Sequence, residues 1–258
     1  MPRSLSALLS ALFLVLPSRQ RRLIFRPDTT DPDASFAGLP GSFVSIRTVD
    51  GLDLRCWWTP PPTSDAPVIL YLHGNGGHLG HRAPRIPTFR DAGCGAFLLG
   101  YRGYGDNPGH PTERGLSRDA DAALAFLSAC GISPHRLLVW GESLGSAVAT
   151  RLAVSAPPAV LVLETPFTSM TAIGRAMVPF LPVELLLRDR FDSLSRIPRL
   201  RCPLLVAAGE RDTLTPPAMA RTLFDAAPPP KRFLLQPGAG HGELPAAAIL
   251  AAATGLLP

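Results

Sequence analysis

The sequence is poor in the residue types that would point to particular partners. It contains a single lysine, Lys231, and its other basic residues are arginines scattered between apolar segments. Although the formal net charge is +5, there is no basic run or stripe of the kind that nucleic-acid binding requires. We therefore expect no nucleic acid among the partners.

Cysteine is also scarce, and its spacing carries no motif. The four cysteines stand singly within or beside apolar segments, without a C-x-x-C pair and without a histidine at metal-ligand spacing (Cys56, Cys94, Cys130 and Cys202). We expect them to be small buried core residues, with disulfides or metal binding as the alternatives. The pattern favours a reducing compartment and predicts no metal site.

No apolar run reaches the roughly 20 residues that a membrane-spanning helix needs. The longest, residues 5–16, has the size of the apolar region of a signal peptide, but the cluster Arg19, Arg21, Arg22 and Arg26 follows it, and no A-x-A-like cleavage site is evident. We predict that residues 1–18 form an uncleaved anchor or interfacial helix. The protein is then membrane-associated on the cytoplasmic side, or cytoplasmic, and export with a signal-like segment is the less favoured alternative. A helix packed on the domain is the alternative.

The remaining residues, 19–258, are predicted to form one α/β domain. Short apolar runs typical of strands buried on both faces alternate with helix-compatible segments, which is the pattern of a parallel sheet. Asp50-Gly51 between the first two predicted strands signals a hairpin. The predicted strands are residues 43–49, 52–58, 68–72, 96–99, 137–140, 160–163, 204–208 and 232–235, and the predicted helices cover residues 114–130 and follow Ser143, Pro217 and Glu243.

Residues 167–199 interrupt this alternation. Apolar residues recur there at helical spacing, and Pro179 and Pro182 divide them. The segment is predicted to form short helices inserted between two strands. They are either a lid over a binding site or helices that only cover the sheet.

Gly141-Glu142-Ser143-Leu144-Gly145 lies between an apolar strand and a stretch of small helix-compatible residues. This G-x-S-x-G pattern in a strand–turn–helix context predicts a nucleophile elbow, in which a serine stands exposed on a strained turn. A serine hydroxyl is a poor nucleophile at neutral pH, so a base and an orienting acid are also required.

The acid and the base are predicted from chain order and from their position after strands. Asp212 follows the strand 204–208, and His241 follows the strand 232–235 through a glycine-rich loop. Glu210 is the alternative acid. The other histidines lie before Ser143 in the chain (His73, His78, His81, His110 and His135). For the negative charge that develops on a carbonyl oxygen, we predict the backbone N–H groups of Asn75 and Leu144 as donors.

Taken together, the motifs resemble those of the α/β-hydrolase superfamily, in particular a Bem-type subgroup that is also similar to depalmitoylating thioesterases. They run in order along almost the whole chain. They are Leu23-Ile24-Phe25-Arg26-Pro27, His73-Gly74-Asn75-Gly76-Gly77, Tyr101-Arg102-Gly103-Tyr104-Gly105, Gly141-Glu142-Ser143-Leu144-Gly145, Glu164-Thr165-Pro166-Phe167-Thr168-Ser169, Arg190-Phe191-Asp192, Gly209-Glu210-Arg211-Asp212 and Gly238-Ala239-Gly240-His241-Gly242. Two positions depart from that pattern, Gly100 where aspartate is frequent and Ser146 where glycine is common.

The resemblance implies an α/β-hydrolase fold: a mostly parallel eight-stranded sheet flanked by helices, with a short helical lid. It also implies a serine hydrolase of the carboxylesterase or acyl-thioesterase type, with a serine peptidase as the less favoured variant and with no cofactor. The expected partner is a small acyl ester or thioester, with a membrane surface at the N-terminus.

Two other functions are alternatives. A catalytically silent binding protein of the same fold at the membrane would need no triad. A dinucleotide-dependent oxidoreductase would use residues 74–80, but their glycine spacing differs by one residue from G-x-G-x-x-G.

Overall fold

A computed structural model describes residues 17–257, and their strands form one large sheet and one small ladder. In chain order the strands are β1 (Arg26–Pro27), β2 (Ser42–Arg47), β3 (Asp53–Thr59), β4 (Val68–Leu72), β5 (Gly76–Gly77), β6 (Gly95–Leu98), β7 (Leu137–Glu142), β8 (Val160–Glu164), β9 (Leu204–Gly209) and β10 (Lys231–Gln236). Eight strands pair in the order β10-β9-β8-β7-β4-β6-β3-β2, and β1 pairs with β5. In the large sheet β3 alone runs in the direction opposite to the other seven strands.

Helices cover both faces of this sheet. They are α1 (Pro17–Ile24), α2 (Arg85–Asp91), α3 (Glu113–Ala129), α4 (Leu144–Ser155), α5 (Met170–Met177), α6 (Val183–Leu186), α7 (Pro217–Ala226) and α8 (Ala246–Thr254). One apolar core contains side chains of α3, α4 and α7, and a second contains side chains of α2 and α8. Alternate residues of β4 point into the two cores, Leu70 into the first and Tyr71 into the second. The α/β-hydrolase fold class predicted from the sequence is confirmed.

The position of the central strands between two layers of helices explains why their sequences are continuously apolar. Every residue of β4, β7, β8 and β9 is buried, because helices cover both of their faces. The predicted hairpin is also present: β2 pairs with β3 in register, from Ser42 opposite Trp58 to Arg47 opposite Asp53. Gly51 in its turn has φ +85°, which a glycine adopts without steric cost.

The sequence analysis missed two elements near the carboxyl end of β4. Helix α2 begins just after a short 3-10 turn, Leu79–Arg82, and Ile86 and Phe89 are its only buried residues. Two apolar positions in seven residues, with a proline in the first turn, are too weak a periodic signal to predict a helix. The ladder of β1 with β5 has two residues in each strand and no side-chain pattern at all.

Residues 167–199, which we call the cap segment, connect β8 to β9. Its helices α5 and α6 and a 3-10 turn at Ile197–Arg199 are the short helices predicted there. Met170 and Ile173 lie half-buried against the first apolar core. The segment therefore has a face that packs inward and a face that is open to solvent.

The predicted anchor falls mostly outside the described residues, which start at Pro17 with α1. No helix within residues 17–257 combines the length and the apolar character needed to cross a bilayer. Of the cysteines, Cys56, Cys94 and Cys202 are buried as expected. The expectation was wrong for Cys130, which is exposed because it lies at the C-terminal cap of α3.

Candidate active site

Ser143 stands on a sharp turn between β7 and α4. Its backbone has φ 48° and ψ −113°, a left-handed conformation that costs energy for a residue with a side chain. Gly145 lets α4 approach β4 closely, because a Cβ at this position would lie 2.0 Å from the carbonyl oxygen of Leu72. Gly141 is equally confined, with a hypothetical Cβ 2.4 Å from the carbonyl oxygen of Gly145. The two glycines of the motif are therefore steric requirements of the turn.

Asp212 and His241 come from the loops that follow β9 and β10. Nε2 of His241 lies 3.1 Å from Oγ of Ser143, and Nδ1 of His241 lies 2.8 Å from Oδ2 of Asp212. The structure thus brings together three side chains that are 29 and 98 residues apart in sequence. Gly209 allows the two loops to touch, because a Cβ there would lie 2.6 Å from the carbonyl oxygen of Ala239.

The Asp212 carboxylate is buried and held in its charged form. Burial by itself would raise the pKa of Asp212, but hydrogen bonds from His241 and from Thr215 outweigh it and lower that pKa below its ordinary value. The backbone N–H groups of Leu214 and Thr215 both donate to Oδ1 at 2.9 Å. A charged carboxylate in this position fixes the tautomer of His241 that presents an unprotonated Nε2 to Ser143.

Thr215 is a residue of this site that the sequence analysis missed. Its Oγ1 lies 2.8 Å from Oδ2 of Asp212, 3.2 Å from Nδ1 of His241 and 3.1 Å from the carbonyl oxygen of Thr165. A hydroxyl three residues after the acid is the only sequence signal that could have suggested it. Glu210, the alternative acid, instead accepts the N–H of Gly238 at 2.8 Å and so braces the loop that carries His241.

The predicted oxyanion donors lie in the expected elements. The Leu144 N–H is the first of α4, where no intrahelical acceptor exists. The side chain of Asn75 points away, with Nδ2 donating to the carbonyl oxygen of Ile24 at 2.6 Å, and its carbonyl oxygen accepts from the hydroxyl of Tyr104 at 2.9 Å. The Asn75 N–H has no acceptor among residues 17–257. Both backbone groups are therefore available to a ligand.

The two departures from the family pattern have structural reasons. A Cβ at Gly100 would lie 2.2 Å from the carbonyl oxygen of Arg55 and 2.5 Å from Nδ2 of Asn107. The amide of Asn107 occupies that space and bonds the Arg55 N–H at 2.6 Å. Ser146 donates its hydroxyl to the carbonyl oxygen of Ser143 at 2.5 Å and so satisfies the backbone of the strained turn.

Buried ion pairs support the strand ends beneath Ser143. Glu142 accepts Nη2 of Arg82 at 2.6 Å and the hydroxyl of Tyr71 at 2.6 Å. Glu164 is fully buried and accepts Nη2 of Arg85 at 2.8 Å and Nε1 of Trp140 at 2.8 Å. Burial opposes ionisation of Glu142, but the Arg82 guanidinium holds the pKa of this carboxyl below its ordinary value.

The Tyr-Arg-Gly-Tyr-Gly loop has a structural role. Arg102 is buried and pairs with two carboxylates, with Nε 2.8 Å from Oδ1 of Asp119 and Nη1 2.8 Å from Oδ2 of Asp50. Its guanidinium is thus fully engaged within the protein. The geometry favours bracing of a tight turn over direct contact with a substrate.

Within residues 17–257, one group of side chains has the spacing to share a metal ion: Asp28, His78 and His81. Nδ1 of His78 accepts the Gly80 N–H at 3.0 Å, and Nδ1 of His81 accepts the His78 N–H at 3.1 Å. A neutral imidazole that accepts at Nδ1 carries its proton on Nε2. The Nε2 atoms face Asp28, each at 3.7 Å from Oδ2, and a proton on Nε2 suits the nearby carboxylate better than it suits a metal ion.

Comparisons with known proteins agree with this architecture. The family model described as serine aminopeptidase, S33, matches residues 63–191. The Mycobacterium tuberculosis protein Rv2307c is 40% identical over 237 residues, which are 91% of this chain and 84% of that protein. Protein bem46 of Schizosaccharomyces pombe is 34% identical over 196 residues, covering 70% of this chain and 64% of bem46.

Two further comparisons bear on the fold and on the kind of relative. The lysophosphatidylserine lipase ABHD12 of Danio rerio is 34% identical over 192 residues, 66% of this chain, and the match spans 50% of the lipase. The crystal structure of the α/β-hydrolase GrgF from Penicillium sp. sh18 superposes with a TM-score of 0.71 at 18% identity, over 85% of this chain and 98% of GrgF. At that identity the likeness is one of fold.

Proposed function

This chain belongs to the α/β-hydrolases, in the Bem-type subgroup with bem46 and ABHD12, and we propose that it is a serine hydrolase that cleaves ester or thioester bonds through an acyl-enzyme on Ser143. One observation carries the proposal: Nε2 of His241 is 3.1 Å from Oγ of Ser143, while its Nδ1 is 2.8 Å from the Asp212 carboxylate. That chain of contacts is the arrangement in which a base can activate a serine hydroxyl.

In the first half of the reaction, His241 takes the Ser143 proton while Oγ attacks the carbonyl carbon. The carbonyl oxygen becomes an oxyanion, which accepts hydrogen bonds from the Asn75 and Leu144 N–H groups. As the tetrahedral intermediate collapses, protonated His241 gives its proton to the leaving alcohol or thiol. The acyl group stays on Ser143.

In the second half, water replaces the leaving group. His241 takes a proton from the water, the resulting hydroxide attacks the acyl carbonyl, and the same two N–H groups hold the new oxyanion. Collapse releases the carboxylic acid and returns the proton from His241 to Ser143 Oγ. No cofactor or metal takes part in either half.

Medium-length acyl or aryl esters and thioesters fit the site best. The cap segment follows the carboxyl end of β8, and its half-buried Met170, Ile173, Val178 and Leu181 pack against the first apolar core. An acyl chain bound beneath the segment would meet these apolar side chains. The name of the relative ABHD12 supports a lipid ester, whereas the name of the family model supports a peptide bond. We favour the ester, because the half-buried apolar residues of the cap segment suit an acyl chain.

The decisive test is release of nitrophenol from nitrophenyl esters of increasing chain length. We expect turnover by the wild type and a loss of up to about 10⁶ in kcat for Ser143→Ala, because the nucleophile is removed. Equal activity, or equal inertness, of the two proteins would contradict the proposal and favour a catalytically silent binding protein. A preference for charged hydrophilic esters would refute the apolar substrate class alone.

A further inference from the structure

The solvent face of the cap segment carries three large apolar side chains that are mostly exposed. Met177 is 75% exposed, Phe180 65% and Leu185 83%. Single exposed apolar residues are ordinary, but three within nine residues of one surface segment are typical of an interaction site. We propose that this face, which we call the docking face, inserts into a bilayer that contains anionic phospholipids.

The charge around the docking face suits such a bilayer. Residues 20–24 of α1 and residues 170–190 contain five arginines and two carboxylates, Glu184 and Asp189. Both carboxylates are already paired, Glu184 with Arg175 and Asp189 with Arg21. The surface thus offers arginines in excess, and basic residues beside an apolar surface are attracted to anionic headgroups.

Helix α1 joins the docking face to the apolar N-terminal run. Residues 5–16 end directly before Pro17, where α1 begins. Nε2 of Gln20 donates to the carbonyl oxygen of Leu186 at 2.7 Å, and Nε of Arg21 lies 3.2 Å from the Asp189 carboxylate. The point at which residues 5–16 join the described chain therefore lies close to the cap segment, on the side of the proposed bilayer.

Two further hydrogen bonds connect α1 and the start of the cap segment to the active site. Asn75 donates to the last residue of α1, and the Thr165 carbonyl at the start of the connection into the cap segment accepts from Thr215. Docking therefore places the active site on the bilayer side of the molecule, where a lipid ester would be its substrate. That consequence rests on the proposed hydrolase function, whereas the docking itself does not.

The docking face is tested by tryptophan fluorescence with brominated phospholipids, which quench only tryptophans within the bilayer. The full-length Phe180→Trp variant is compared with Val49→Trp, because Val49 is 86% exposed in the hairpin turn of β2 and β3. The vesicles contain phosphatidylcholine with about one-third phosphatidylglycerol, a composition that supplies anionic headgroups. We expect quenching beyond the wild-type background for Phe180→Trp only. No excess quenching at position 180, or equal quenching at position 49, overturns the proposal.

The other possible occupants of the docking face give different signals in the same experiment. A second copy of the chain would shift the emission of Phe180→Trp to the blue as protein concentration rises, without quenching. Residues 5–16 of the same chain would give a blue-shifted emission at every concentration, again without quenching. Either result overturns docking on a bilayer.

A second variant separates docking from catalysis. The Met177→Asp/Phe180→Asp/Leu185→Asp protein should hydrolyse a short soluble nitrophenyl ester within about twofold of wild type, because its substitutions face outward. On a lipid ester carried in the same vesicles it should lose at least tenfold, whereas Val49→Asp should lose nothing. Equal activity of all three proteins on vesicles overturns the proposal. If the wild type hydrolyses neither ester, the proposed function fails, but the quenching experiment still decides the docking.

Discussion

At the scale of single residues, the Asp212 carboxylate is surrounded by donors on both oxygens. Two backbone N–H groups bond Oδ1, while Thr215 and His241 both contact Oδ2. Each donor takes part of the negative charge that would otherwise stabilise a protonated His241. We infer that Thr215 is a positioning residue, which acts on Ser143 only through Asp212 and His241.

The Thr215→Val substitution tests this role, because valine keeps the shape and removes the hydroxyl. We expect kcat/KM to fall about tenfold with KM nearly unchanged, since the energy of one hydrogen bond to a charged group is lost. The pKa of the Asp212 carboxyl should rise towards its ordinary value, because one of the hydrogen bonds that lower it is lost. Thr215→Ser should restore both. An equal fall in the serine and valine variants would point to packing instead of the hydroxyl.

The Asp212→Asn substitution separates orientation from charge. We expect kcat to fall about 10⁴-fold, as when the acid of another serine triad is replaced by its amide. Because the folded-state pKa of Asp212 lies below its ordinary value of 3.8, the wild type gains stability above that pH and loses it as the pH falls through the lowered pKa. In urea titrations from pH 3 to pH 7, the difference in the free energy of unfolding between wild type and variant should therefore become smaller as the pH falls. A constant difference would mean that Asp212 is not held ionised in the folded state.

At the scale of elements, buried ion pairs attach α2 and the turn before it to the ends of β7 and β8. Arg82 reaches Glu142 next to the nucleophile, and Arg85 reaches Glu164. The Arg85 guanidinium also lies 5.2 Å from the ring of Tyr71. Since β7 and β8 are adjacent, these pairs hold the strand ends from which the Ser143 turn and the cap segment depart.

The Arg85→Met substitution should destabilise the protein by about 3–5 kcal/mol at neutral pH, because it leaves Glu164 buried without its counter-ion. Burial raises the pKa of Glu164 even with Arg85 present. Without the arginine, Glu164 should protonate more readily in the folded state, so the loss of stability should be smaller at low pH. The double variant Arg85→Met/Glu164→Gln is the control and should recover most of the loss. If Arg85→Met and wild type unfold at the same urea concentration, the pair does not support the strand ends.

At the scale of the whole molecule, α1 contacts both the loop that follows β4 and the cap segment, although it lies at one end of the described chain. Asn75 bonds the carbonyl oxygen of Ile24, the Arg26 N–H bonds the carbonyl oxygen of Asn75, and Gln20 bonds Leu186. The N-terminal region thus has a defined place beside the active site.

Cell fractionation with and without residues 2–16 tests the predicted anchor. We expect the full-length protein in the membrane fraction, and the truncated protein there only in part, because the docking face alone gives weaker binding than two apolar elements together. High salt should release the truncated form further, since screening weakens its electrostatic attraction. A full-length protein found entirely in the soluble fraction would refute the anchor.

Elements and candidate site residues that depend on local pattern could be predicted from the amino-acid sequence alone. Continuously apolar runs specify strands buried on both faces, and β4 spans the very residues predicted, 68–72. The G-x-S-x-G motif, the order of Ser143, Asp212 and His241, and the glycines before His241 are all local signals, so candidate site residues could be named without a structure. Their catalytic roles remain proposals for the assays above.

Contacts between segments that are distant in the chain could not be predicted and became known from the three-dimensional structure. Gln20 and Leu186 are 166 residues apart, and Arg85 and Glu164 are 79 apart. No periodicity links such pairs, because their approach depends on how loops and helices pack over the sheet. The same reason explains why the sequence analysis missed Thr215, the role of Glu210 in supporting a loop, and the exposure of Cys130. The local pattern specifies only the element to which a residue belongs, whereas packing sets the partners of its side chain.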